Sequence, residues 1–319
     1  MENDMNSFMI AANAVVPFIC YMLYGYIARV VGLGDEKFNK KLNTIVFKAF
    51  FPLLMFNNLY TADIDFGANV SMIGVFSGVM MVIILICVLL VPLIVKENPK
   101  RGVVIQSIYR SNTLMFAYPL CVSMYGEEAG AIASLVIATI VPIYNICSVV
   151  IFSIFDRQSG SKTDVKKILK NIATNPLIVG AVAGAVFKLA GWQIPSSVMS
   201  PVSGFANMTT PLSIFILGAT LDIPDIGKNM KYIVSVITLK LVIVPALVTV
   251  IMYMAGYRGA ELFIAFILYA TPIAGASFPM AQSMGGDAAL QGQLLAISTV
   301  MSLFTIFFWI VGLTSMGIF

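Results

Sequence analysis

The amino-acid sequence predicts an all-α integral membrane protein: ten transmembrane helices in two inverted five-helix repeats, with helices 4 and 9 broken where they cross. Three observations lead there. The 319 residues are 59% hydrophobic and only 11% charged, too apolar for one water-soluble core. Apolar runs of about 20 residues recur along the whole length, enough to cross the ~30 Å hydrocarbon layer as helices, whereas β-barrel strands would alternate polar and apolar residues. The longest polar stretch divides those runs five and five, and the two halves share sequence.

The first span, 8–31, follows the acidic opening MENDMNSFMI, unlike the basic start of a signal peptide, and is read as a retained helix. Span two, 38–60, carries Lys48 a turn or two from the cytoplasmic edge, within snorkelling reach of the interface. Spans three (67–93), four (102–124) and five (128–153) complete the first repeat, residues 1–153. The basic stretch 154–173 is expected to be a cytoplasmic loop. Spans six (174–191), seven (198–221), eight (231–254), nine (259–284) and ten (288–315) make the second repeat, residues 174–319. With both termini external, fourteen Lys and Arg side chains fall on the cytoplasmic side and only Lys188 and Arg258 outside. That asymmetry orients the chain by the positive-inside rule, and the cell membrane is its expected place.

The repeat is visible in two alignments. A shift of 159 sets PLLMFNNLYTADI (52–64) over PLSIFILGATLDI (211–223), matching Pro, Leu, Phe, Thr, Asp and Ile. A shift of 160 sets SNTLMFAYPLCVSMYGEEA (111–129) over TPIAGASFPMAQSMGGDAA (271–289), pairing Pro119 with Pro279 and Gly126 with Gly286. Because each half has five spans, an odd number, the second half enters the membrane upside down. Such inverted repeats hold substrate near the midplane of secondary transporters.

The polar residues of spans four and nine are the candidate site. Pro119 denies Met115 a helical hydrogen bond, so span four is expected to break or kink between Asn112 and Pro119. Span nine carries Pro272 and Pro279 around a segment of small residues. Freed backbone groups in lipid need partners or a wet cavity, and half-helices starting near Pro119 and Pro279 would turn positive ends inward. Two readings stay open: structural kinks satisfied by Asn112, Thr113, Thr271 and Ser277, or an anion site built from them. Arg110 and Lys240 lie deep in apolar spans while Asp63, Asp222, Glu127, Glu128 and Asp287 stay at span ends, a pattern that favours an anionic ligand or cations bonded to free carbonyls. Asn145 and Asn207 are further candidates; polar residues in helices also tie neighbours together.

Several chemistries are excluded. There is no histidine, which removes H-E-x-x-H zinc sites, Ser-His-Asp triads and histidine relays, and there is no Walker loop. No nucleophile–base set stands out, so an enzyme is not expected, nor a metal or organic cofactor. Cys20, Cys87, Cys121 and Cys147 all fall in apolar runs and read as buried hydrophobes. The net charge of +4 is explained by the cytoplasmic ends and not by a nucleic-acid surface. Without embedded carboxylates a proton relay of the Asp or Glu type is disfavoured; coupling to sodium through neutral oxygens, or no coupling, stays open. A sodium-coupled symporter and an anion channel are the alternative functions.

NTLMFAYPLCVSMYG (112–126) resembles the fourth-span signature of the PIN-FORMED auxin efflux carriers, and PLSIFILGATL (211–221) is similar to the seventh span of bacterial members of that family. The family belongs with the bile acid symporter-like folds. The resemblance implies a scaffold of helices 1, 2, 6 and 7, a transport domain of helices 3–5 and 8–10, a homodimer, and elevator-type alternating access. It further implies that Asn112 contacts a substrate carboxylate and that Pro119 and Pro279 are crossover prolines. Met55 and Ile140 stand where auxin carriers have polar residues, which points to a small carboxylate such as malate or malonate.

Overall fold

The computed structural model describes residues 16–17, 19–61, 70–155, 165–220 and 226–319; the acidic opening, the start of span one, Asp63, Asp222 and much of the 154–173 stretch lie outside them. Twelve helices follow one another: α1 (Ile19–Val30), α2 (Glu36–Thr61), α3 (Val70–Ile94), α4 (Asn98–Tyr109), α5 (Tyr118–Phe155), α6 (Val165–Thr174), α7 (Pro176–Leu189), α8 (Ser196–Thr220), α9 (Gly227–Met254), α10 (Gly259–Ala270), α11 (Ser277–Ser283) and α12 (Ala288–Ser315). Six helical segments are long and apolar enough to cross a membrane: α2, α3, Glu128–Phe155 of α5, α8, α9 and α12. The shorter apolar helices are α1, α7 and α10. An all-helical chain is what lipid demands, since a helix satisfies its backbone hydrogen bonds within itself.

Helices α4 and α10 each have 12 residues, so each rises about 18 Å, little more than half of the hydrocarbon layer. Each continues only after an interruption. Tyr109 ends α4, Arg110 turns extended (φ −83°, ψ 117°), and helical backbone resumes at Thr113. Ala270 ends α10, Thr271 is extended, and α11 begins at Ser277. The first break thus spans Arg110–Asn112, at and just before the start of the interval expected to break, and a π turn, Thr113–Ala117, occupies most of the rest; Pro119 lies inside the resumed helix. Pro279 is likewise the third residue of α11, where a missing N–H leaves no bond unmade. The first resumed helix then turns at Gly126, whose φ of 81° and ψ of −177° a side chain would resist.

Proline acts instead through π turns. Three helical stretches reach back five residues and not four: Val46–Phe50 in α2, Thr113–Ala117 before α5, and Leu239–Ile243 in α9. Each closes on the residue just before a proline, with Phe51 N–H bonding Val46 O, Tyr118 N–H bonding Thr113 O, and Val244 N–H bonding Leu239 O. Pro52, Pro119 and Pro245 follow. A proline cannot donate to the carbonyl four residues back, and the turn widens around that unbonded oxygen. In α9 the freed carbonyl is Leu241 O, and Trp309 of α12 supplies the missing donor through Nε1 at 2.9 Å.

Glycines set the closest helix contacts. A Cβ on Gly25 of α1 would lie 1.9 Å from Phe215 O of α8, and one on Gly218 would lie 1.9 Å from Met22 O. Gly180 and Gly184 of α7 meet the backbone of Pro52 and Phe56 of α2 in the same way, at 2.2 and 2.5 Å. Without side chains between them the backbones pack directly, the usual route to helix association in lipid. Lys48 is exposed on α2. The stretch expected to be a cytoplasmic loop contains α6: VKKILKNIAT sets apolar residues 165, 168, 169 and 172 on one helical face and lysines on the other.

Candidate functional site

The two interruptions meet each other. Ser111 and Ile273 form an isolated antiparallel bridge, and Asn112 N–H donates to Pro272 O at 2.8 Å. Backbone groups left without helical partners at this depth thereby satisfy one another. Beside the crossing is a cavity of about 170 Å³. Arg110, Ser111, Asn112 and Thr113 line it from the first break, and Ala274, Gly275 and Ala276 from the second. Phe51, Leu54, Met55 and Asn58 of α2, Val141 and Tyr144 of α5, and Ala206, Asn207 and Thr210 of α8 complete its lining. Gly275 is closely packed there: a Cβ on it would lie 3.3 Å from the tip of Ile214 and 3.7 Å from Thr210, so Ile214 would have to shift slightly to admit one.

Asn112 is 9% exposed, and among the described residues its Nδ2 has no hydrogen-bond partner. Leaving a buried amide donor unbonded costs about 1–3 kcal/mol, a cost that a ligand acceptor in the cavity would remove. Thr271 and Ser277 are fully buried, and their hydroxyls are unpartnered too. Neither lines the cavity.

Arg110 is 3% exposed and is held by neutral groups. Its Nη2 donates to Asn145 Oδ1 at 2.6 Å; its Nη1 donates to Gln106 Oε1 at 3.2 Å, to Ser148 Oγ at 3.4 Å and to Met280 Sδ at 3.0 Å. Gln106 Nε2 continues the network to Gln291 Oε1 of α12 at 2.9 Å and to Ser277 O at 3.2 Å. Asn145 Nδ2 in turn donates to Met55 Sδ at 3.1 Å. Lys240 is fully buried and donates to Ser111 Oγ. Among the described residues no carboxylate pairs with either cation.

The structure thus brings Arg110, Asn112, Thr113 and Asn207 to one cavity, with Asn145 behind Arg110 and Lys240 behind Ser111. Pro272 lends its carbonyl to the crossing, whereas Pro119 and Pro279 follow the breaks within helices. Sequence reasoning missed Ser111, Gln106, Gln291 and Tyr144. The glutamines carried a signal, since both fall in otherwise apolar spans; Ser111 and Tyr144 carried none beyond adjacency to named residues.

The model of the membrane transport protein family matches residues 10–310 of this chain. An uncharacterized transporter of Methanothermobacter thermautotrophicus is 23% identical, covering 95% of this chain and 98% of the relative. An uncharacterized transporter of Methanocaldococcus jannaschii is 22% identical, covering 94% and 98%. A family match across nearly the whole chain, on a multi-helix apolar fold with an enclosed polar crossing, accords with the likeness to the auxin efflux carriers: the chain belongs to the membrane transport protein family.

Proposed function

We propose that the protein is a secondary active or facilitative carrier of small organic anions, carboxylates such as malate, malonate or auxin-like acids, and not an enzyme. One observation carries the reading: Asn112 Nδ2, unpartnered among the described residues, at a cavity that also receives Arg110, a buried cation with no carboxylate partner among them. A carboxylate there accepts from the amide and balances the buried charge. The helical backbone that begins at Thr113 adds its positive end to the same place. At about 170 Å³ the cavity is well below the ~300 Å³ at which drug-sized sites begin, which favours a small acid.

The inverted repeat and elevator motion belong to this proposal. Asn112 and Pro272, the pair at the centre of the crossing, are 160 residues apart, the same offset that aligns the two broken segments. That coincidence supports a pseudo-twofold axis through the crossing. The direct glycine contacts of α1 with α8 and of α2 with α7 support one rigid scaffold, against which the elements carrying the breaks would move. In this reading the protein is a homodimer in the cell membrane with both termini external.

A thermal-shift screen of purified protein against organic acids, in sodium and in potassium, tests the proposal. An acid at 100 times its Kd stabilises the native state by about 2.7 kcal/mol, so a small carboxylate should raise the Tm. A shift that needs sodium would identify a sodium-coupled symporter; no shift with any acid would contradict the anion reading.

A further inference from the structure

Among the described residues Lys240 is a deep cation that does not line the cavity, and packing gives no reason for it. Its side chain is fully buried in the π turn of α9, and the acceptor of its ammonium is the Ser111 hydroxyl. An ammonium carries three donors, and an uncharged acceptor leaves its charge uncompensated in a medium where buried charge is expensive. A methionine would fill the same length without that cost. Yet the surroundings fix this lysine in place: Pro245 widens the turn and Trp309 bonds the carbonyl of Leu241, the next residue. Ser111 is the link outward. It lines the cavity, bridges to Ile273 of the second break and precedes Asn112.

We propose that Lys240 is a positioning residue of the anion site: acting through Ser111, it keeps an amine behind the crossing whose charged form a bound carboxylate favours. A carboxylate at Asn112 then faces Arg110 on the cavity wall and Lys240 one hydroxyl further back. The inference rests on the cavity being an anion site. It makes Lys240 a residue kept at the expense of stability, which separates it from a structural strut.

The test compares wild type, Lys240→Met and Ser111→Ala in detergent, reading the Tm without ligand and the binding of malonate, malate and benzoate. Lys240→Met should raise the ligand-free Tm while weakening the acid bound by wild type by about tenfold or more. Ser111→Ala, which strands the ammonium, should lower both stability and affinity. If Lys240→Met lowers the Tm or fails to fold, Lys240 is a strut and the proposal is overturned. If that variant binds as tightly as wild type, the role of Lys240 fails while the anion site stands. If wild type binds none of the three acids, the anion reading fails and this inference with it.

Discussion

Asn112 shows how one side chain links the broken backbone to chemistry. Its N–H closes the crossing on Pro272 O, and its amide is left with a donor that no described residue accepts. Hydrogen bonds to charged groups contribute about 1.5–3 kcal/mol, so Asn112→Ala should weaken carboxylate binding by roughly 10- to 100-fold while leaving the fold intact; titration calorimetry on both proteins reads this. Asn112 was legible because an amide seven residues before a proline stands out in an apolar span. Ser111 was not, because a membrane serine ordinarily bonds a carbonyl of its own helix, as Ser213 bonds Thr209 O. Gln106 and Gln291 stand 185 residues apart, off the repeat offset, so only the fold could pair them.

At the level of helices, the positions of the six helices long enough to cross a membrane followed from hydrophobic runs because lipid sets both length and composition. The bounds of span ten, 288–315, coincide with Ala288–Ser315, where Asp287 caps the start by accepting from Leu290 N at 2.9 Å. What hydrophobicity could not show is how a proline is accommodated. Pro119 was expected to open the helix, yet the chain takes a π turn there and opens earlier, after Tyr109. Helix α6 was hidden by its lysines, since hydropathy averages over a face that periodicity resolves. Helix contacts give a paired prediction on α8. Gly218→Ala would press a Cβ into Met22 O and should destabilise the fold through lost α1 packing by more than about 1 kcal/mol, seen as a lower Tm. Gly204→Ala on the same helix meets nothing within 4 Å and should be neutral or stabilising by about 0.5–1 kcal/mol. Thermal denaturation of the two variants checks both signs.

For the whole molecule, the proposed topology places Lys170 of α6 in the cytoplasm and Lys188 of α7 outside. In a background where the four cysteines are replaced, a membrane-impermeant maleimide applied to intact cells should label Lys188→Cys and spare Lys170→Cys; the reverse pattern would invert the orientation. The central claim is transport of an organic anion through the site at the crossing. The direct measurement is counterflow of labelled malonate and malate in proteoliposomes of the wild-type protein preloaded with unlabelled acid. A carrier of these acids gives saturable, transient accumulation of label that depends on the internal acid. Equilibration without accumulation, accompanied by single-channel currents, would contradict it and make the crossing the wall of a pore.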